Sequence, residues 1–276
     1  MVIIADSGST KTHWAIIQNG AYDITQTAGI NPVLQTKNEI IHILNTSFQQ
    51  DVSNIDEIYF YGTGCRGEHA QKLELCLKSF FTNARHIEVH SDIIGAARAL
   101  FGKNKGIACI LGTGSNTCYY DGRSTTTLIP SLGFILGDEG SGAYLGKLVI
   151  NNLLKNQLGE ELKQKFFDKY SLTTDDIIKN VYRMPFPNRF LASFTHFINE
   201  HKTNPRIQKL LINAFETFFQ KNIIAYSHFS LPVGIVGSIG YYFQDEIQQV
   251  AKKYNIKISK IIQCPIKELI YYHEKM

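Results

Sequence analysis

The sequence predicts an α/β protein built from two like, layered domains. Three observations lead there. Apolar, β-branched strands alternate with helical stripes through the first half of the chain. Several of those strands run straight into short polar or glycine-bearing loops. The pattern that opens the chain, a strand, a small polar turn, a strand and an x-Gly turn, returns from Ile107 onward.

The opening copy spans Val2 to Gly20. Val2 to Ala5 is a short apolar run that reads as a buried strand. Asp6-Ser7-Gly8-Ser9-Thr10 suits a tight turn, Thr12 to Ile17 a second strand, and Asn19-Gly20 a hairpin end. Such a turn aims backbone N–H groups and hydroxyls at one spot, as a phosphate requires. Asp6 repels a phosphate by itself. It makes sense there if Mg²⁺ lies between, directly or through water. An ordinary hairpin turn is the structural alternative, but a carboxylate ending a buried strand needs a partner. Thr10-Lys11-Thr12 is not a P-loop, because Lys11 follows no glycine and a strand comes next.

Ala21 to Ala28 fits a third strand, and Gly29-Ile30-Asn31-Pro32 breaks it. Asn38 to Phe48 carries a helical stripe. Ile55 to Tyr61 is a strand that enters Gly62-Thr63-Gly64-Cys65, and His69 to Phe81 is helical. His86 to His90 is a strand ending at Ser91-Asp92, before a helix from Ile93 to Phe101 with Gly102 at its C-terminal cap. Ligands of open α/β sheets sit at the carboxyl ends of strands. Asp6, Gly62 to Cys65 and Asp92 should therefore share one sheet edge. Asp92 also suits the first turn of a helix on dipole grounds alone.

The second copy is Ile107 to Leu111, then Gly112-Thr113-Gly114-Ser115, then Asn116 to Tyr120 and Asp121-Gly122. Two such hairpins would pinch one polyphosphate. The boundary falls near Lys103 to Gly106, giving domains 1–106 and 107–276. Beyond it, Asp138-Glu139 sit among Gly137, Gly140 and Gly142 before a helix to about Gln157. Those glycines suggest a close backbone approach. Asp175-Asp176 and Pro185 to Arg189 read as loops, and Thr203 to Phe229 as one long, aromatic-rich helix. Pro232 to Val236 is a strand entering Gly237-Ser238-Ile239-Gly240. That turn lacks dinucleotide spacing; it suits a flat adenine lying on the backbone, or is a plain strand-to-helix turn. Tyr241 to Tyr254 is helical, Ile256 to Ile262 is a last strand, and a helix follows, expected to pack back on the first domain.

Formal net charge is +4 without any basic block, which argues against nucleic acid as a partner. No basic leader precedes the first strand, and no apolar stretch approaches the roughly 20 residues of a membrane span. The chain reads as cytoplasmic. Cys65, Cys76, Cys109, Cys118 and Cys264 form no C-x-x-C pair and read as reduced structural thiols, with zinc or iron–sulfur spacing absent.

The chain resembles the actin, sugar-kinase and chaperone-ATPase superfamily, in its N-acetylglucosamine kinase (BadF/BadG-type ATPase) branch. The matching pieces run in family order: ADSGSTKTHW, GINP, YGTGC, SDIIGAARALFG, ILGTGSNTCYYDG, LGFILGDEGSGAYLG and PVGIVGSIG. The resemblance implies two ribonuclease-H-like (actin-like ATPase) domains with ATP in the cleft. It implies that Asp6 holds Mg²⁺ through water and that Gly8, Ser9, Thr10, Lys11 and Thr12 face the phosphates from one side. Gly112, Thr113 and Gly114 would face them from the other, and Gly237 and Ser238 would border the adenosine. It implies an amino sugar held by Asn31, Ser115, Asn116 and Asp138, with Gly64 beside them, and Asp92 as the base on its 6-hydroxyl. Pro130-Ser131-Leu132-Gly133-Phe134 stands where better-known members carry a glycine-tryptophan-glycine cluster, and the Gly62 to Cys65 loop lacks their sugar-facing serine. Glucosamine, muramic acid and other cell-wall sugars therefore remain alternative acceptors. An activator-type ATPase with a shared iron–sulfur cluster is the alternative from another class, which the cysteines disfavour. The oligomeric state, a homodimer included, is left open.

Overall fold

The computed structural model describes residues 1–48 and 52–275. Met276, the last residue of the second expected domain, lies outside the described residues. The chain forms two compact units. The first comprises Met1–Asn104, Asp121–Thr125 and Cys264–Met276; the second comprises Lys105–Tyr120 and Thr126–Gln263.

The sheet of the first unit contains β1 (Val2–Ser7), β2 (Lys11–Gln18), β3 (Ala21–Ala28), β4 (Glu57–Gly62) and β5 (His86–Ser91). Its order is β3-β2-β1-β4-β5. The first three strands form an antiparallel meander, and β4 and β5 continue parallel to β1. Register decides what matters for function. Ser7 pairs with Gly62, and Gly62 pairs with Ser91. The three parallel strands thus end together, and the loops carrying Gly8 and Thr63 and the helix that starts at Asp92 leave from one edge. Apolar alternation supplies the core, in which buried Trp14 meets Phe48 and Phe60 edge-on at 5.0 and 5.6 Å. Helix Lys37–Ser47 starts at a capping box between Thr36 and Glu39. The C-terminal helix Ile266–Glu274 packs on helix Asp92–Phe101 within this unit.

The second unit repeats the plan. β6 (Gly106–Leu111), β7 (Ser115–Tyr120), the two-residue β8 (Thr125–Thr126), β9 (Val233–Val236) and β10 (Ile258–Ile262) lie in the order β10-β9-β6-β7-β8. Numbered from its own first strand, each sheet reads 3-2-1-4-5. The repeated hairpin is therefore the visible part of a repeated sheet. Here Ile110 pairs with Val236, and Val236 with Ile262, so Gly112 and Gly237 emerge side by side. Phe166, Phe194, Phe197, Phe215, Phe218 and Phe219 fill the core over this sheet.

The helical layer of the second unit departs from expectation. Asp175 and Asp176 lie in the first turn of helix Thr174–Tyr182, not in a loop; Thr173 and Asp176 close a capping box there. Acids belong at that end of a helix, so the pair marked a start. Pro185 to Arg189 is likewise only partly loop, because Pro187 opens helix Pro187–Ser193, where its missing N–H is harmless. The segment Thr203 to Phe229 is not one helix. Regular helix ends at Phe218, a π-turn spans Phe219–Ile223, and a 3₁₀ segment spans Ile224–Phe229. Among the described residues no helix is long and apolar enough to cross a membrane.

Candidate active site

In the first unit the opening hairpin is braced from inside. Ser7 and Thr12 are fully buried, and their hydroxyls lie 2.7 Å apart. Ser7 Oγ also donates to the Ile30 carbonyl and accepts from the Ile30 N–H. Thr12 Oγ1 donates to the Ala28 carbonyl. Thr12 is therefore an inner brace, while Gly8, Ser9, Thr10 and Lys11 form the outer curve. Gly29 explains its own residue type. A Cβ there would sit 2.5 Å from the Gly8 carbonyl oxygen, so only glycine lets the Gly29–Asn31 segment lie against the turn.

Asp6 is the next-to-last residue of β1, with its side chain 19% exposed. Burial, reinforced by the Asp92 carboxylate and opposed by Lys11, pushes its pKa up to about 7. Asp92 is the first residue of its helix. Its Oδ2 accepts a 2.7 Å hydrogen bond from Thr63 Oγ1, and its Oδ1 accepts one of 2.9 Å from the Ile93 N–H. Burial raises its pKa, while Thr63, Ile93 and Arg66 pull it back down. Asn31 and Gly64 are also brought together. Gly64 has φ +81°, and a Cβ there would collide with Asn31 Oδ1. That oxygen accepts the Val33 N–H, so the amide NH₂ is the end Asn31 offers outward.

In the second unit the turn Gly112–Ser115 is fixed by neighbours from three directions. Gly112 N–H donates to the Gly114 carbonyl, and the Gly112 and Thr113 carbonyls accept from Gly142 and Ala143. A Cβ on Gly237 would strike the Leu111 carbonyl, and Gly237 has φ +127°. The expected adenosine turn and phosphate turn are thus in contact, with Ser238 exposed at the start of the following helix. Asp138 lies against the same turn. Its Oδ1 accepts from the Ser115 N–H at 3.2 Å, and a Cβ on Gly114 would be 2.9 Å from its Oδ2. Burial and Glu139 raise the Asp138 pKa against that hydrogen bond and Lys147.

A pocket of about 200 Å³ lies beside this turn, lined in part by Ser115, Asn116, Ser131 and Asp138. Pro130, Ser131 and Leu132 form one wall, so the segment that departs from the family pattern shapes the pocket directly. Thr117 Oγ1, another lining group, is buried without a hydrogen-bond partner among the described residues. Sequence reasoning singled out Glu139, which also lines the pocket, but missed its partners Lys221 and Asn222. Glu139 is 8% exposed and accepts hydrogen bonds from Lys221 Nζ (2.9 Å) and Asn222 Nδ2 (3.3 Å). Burial raises the Glu139 pKa, but Lys221, the residue's own backbone N–H and Asn222 outweigh it and hold the group below its usual range. Lys221 and Asn222 ride on the π-turn, a device that commonly re-aims side chains at functional positions. The loop carrying Thr63 was singled out in the sequence, but the hydrogen bond from Thr63 to Asp92 was not.

No family model matches the chain. Solved structures do. One from Porphyromonas gingivalis, titled as a putative N-acetylglucosamine kinase, is 44% identical and superposes with a TM-score of 0.96, covering 100% of this chain and 99% of that one. A ROK family glucokinase from Streptomyces griseus, solved with glucose and AMPPNP, shares the fold at 10% identity and TM-score 0.60, covering 95% and 94%. A curated relative, the N-acetylmuramic acid/N-acetylglucosamine kinase of Clostridium acetobutylicum, is 28% identical over 218 residues, 72% of this chain and 69% of that protein. Doubled five-stranded mixed sheets with these neighbours define a sugar kinase of the actin-like ATPase fold. Within that class, the chain belongs to the N-acetylglucosamine kinase family.

Proposed function

We propose that the protein transfers the γ-phosphoryl group of ATP to an amino sugar, with N-acetylglucosamine and its 6-hydroxyl as first choice. The observation that carries this reading is the Asp92 carboxylate. It is held from both sides by Thr63 and the Ile93 N–H, on the sheet edge where the strand carrying Asp6 ends. A loose phosphoryl-transfer transition state asks the protein chiefly to position groups and balance charge. Asp92 orients the acceptor hydroxyl and takes its proton late. Its raised proton affinity suits a general base. The turns Gly8 to Lys11 and Gly112 to Gly114 face the phosphates from two sides, each closed by an internal N–H to carbonyl bond, and Gly237 with Ser238 borders the adenosine. Asn31, Gly64, Ser115, Asn116 and Asp138 hold the sugar.

The half-buried Asp6 carboxylate, an oxygen donor pressed by the Asp92 carboxylate, fits a hard cation. Asp6 would hold Mg²⁺ through water, and the ion when bound would neutralise polyphosphate charge. Dependence on ATP supports a cytoplasmic place of action.

The names of the relatives support an amino-sugar acceptor, and the altered wall at Pro130 to Leu132 keeps glucosamine and muramic acid as further test substrates. The test is a coupled ADP-release assay with Mg·ATP over amino sugars, hexoses and a no-sugar control. ADP release that rises with N-acetylglucosamine is expected. Equal release with and without every sugar would replace the kinase by an activator-type ATPase.

A further inference from the structure

The cysteines show no metal-binding spacing in the sequence, yet the first unit assembles one such set in space. Asp6 and His13 are cross-strand partners on β1 and β2. Cys264 reaches them from the segment leading into the C-terminal helix of the same unit. Cys264 Sγ lies 3.5 Å from His13 Nδ1, which lies 4.0 Å from Asp6 Oδ2. All three donor atoms fall within 4.8 Å of one another.

We propose that Asp6, His13 and Cys264 form a three-ligand site for a borderline-soft divalent cation of the zinc class. Tetrahedral zinc, with bonds of about 2.3 Å to sulfur and about 2.0 Å to nitrogen and oxygen, separates sulfur from nitrogen by about 3.5 Å and nitrogen from oxygen by about 3.3 Å. The first spacing is already present, the second needs a shift of about 0.7 Å, and the sulfur and oxygen, within 4.8 Å of each other, must close to about 3.5 Å. The donor set selects the metal: a thiolate and an imidazole favour zinc, whereas Mg²⁺ demands an oxygen shell. Three protein ligands leave a fourth position for water. Binding replaces the thiol proton, and the Asp6 proton where that group is protonated, by the metal, and the protons go to solvent. Two charged groups act on the Asp6 carboxylate with opposite signs, Lys11 against a cation and Asp92 in its favour.

Asp6 cannot serve this site and a hydrated Mg²⁺ together, so zinc-class ions inhibit the kinase by occupying it. That consequence rests on the reading of Asp6 given above; the binding does not. The experiment titrates Zn²⁺ into the full chain, the Cys264→Ser variant and the His13→Gln variant, against a chromophoric chelator. Co²⁺ is added in parallel as a spectroscopic probe. One zinc per chain is expected, with affinity lowered roughly 100-fold or more in each variant by loss of a ligand. Co²⁺ should give a thiolate charge-transfer band that Cys264→Ser abolishes. Equal zinc affinity in all three proteins, or no thiolate band in the parent, overturns the site. Far-UV circular dichroism checks folding; if a variant is unfolded, the parent's cobalt spectrum decides. In turnover, zinc should inhibit the parent at concentrations that spare Cys264→Ser, whose zinc-free rate is unchanged. Equal inhibition overturns the inhibitory role. A cobalt–thiolate band in a protein without sugar-dependent turnover upholds the site and sinks the kinase reading instead.

Discussion

Thr63 Oγ1 donates a 2.7 Å hydrogen bond to Oδ2 of Asp92. The two residues leave adjacent parallel strands, and the register of Gly62 with Ser91 brings them together. The bond stabilises the ionised carboxylate and opposes the upward push of burial. Thr63→Val should therefore raise the Asp92 pKa and move the acid limb of the kcat–pH profile to higher pH. A hydrogen bond to a charged group contributes about 1.5–3 kcal/mol, so kcat at neutral pH should fall on the order of tenfold or more. KM for ATP should stay put. Superimposable pH profiles would show that Thr63 does not position the base.

Asp92→Asn removes the base while keeping the shape and the acceptor for the Ile93 N–H. Sugar binding should survive, read by equilibrium titration, while turnover drops about 100-fold or more. Wild-type turnover in this variant would move the base elsewhere.

The strands and the doubled hairpin were legible because their chemistry is local: β-branched runs, x-Gly turns and an acid after an apolar strand. The shared edge of Ser7, Gly62 and Ser91 was readable in outline, since strand ends in α/β sheets converge. The pairing of Glu139 with Lys221 was not, because a π-turn far along the chain supplies the lysine. Nor was the Asp6, His13 and Cys264 cluster, whose third member sits 251 positions from His13. Asp175-Asp176 misled for a simpler reason. The same two acids fit a polar loop and a helix N-terminus, and only the capping box settles which.

Asp6 gives a stability signature. In the folded protein it holds its proton to about pH 7, against 3.8 for an unperturbed aspartate. Between those values the native state binds more protons than the unfolded chain, so stability falls as pH rises through that window. A single group limits the slope to about 1.4 kcal/mol per pH unit. Asp6→Asn removes this loss. In urea denaturation without divalent metal, its stability relative to wild type should grow from pH 4 to pH 8, and Mg·ATP turnover should vanish. A constant difference across pH would show that Asp6 titrates normally.

Gly237 has φ +127°, a conformation that L residues rarely adopt, and its Cα faces the Leu111 carbonyl. Gly237→Ala should destabilise the protein by at least about 1–3 kcal/mol from backbone strain. Relief of the clash must push the adenosine turn off the phosphate turn. KM for ATP should then rise several-fold while KM for the sugar is unchanged. A rise confined to the sugar would move the nucleotide away from this turn.

Asp138 separates charge from shape. It has φ +54°, a region that asparagine tolerates better than alanine, and its carboxylate accepts the Ser115 N–H. Asp138→Asn keeps the backbone and can keep that hydrogen bond through its amide oxygen, but it replaces a second acceptor with a donor. Asp138→Ala loses both and strains the turn. If the carboxylate accepts sugar hydroxyls, both variants should raise the sugar KM more than tenfold, and only alanine should also lower the melting temperature. If Asp138 merely anchors the Gly112–Ser115 turn, asparagine should behave as wild type, and the sugar must be held by other residues.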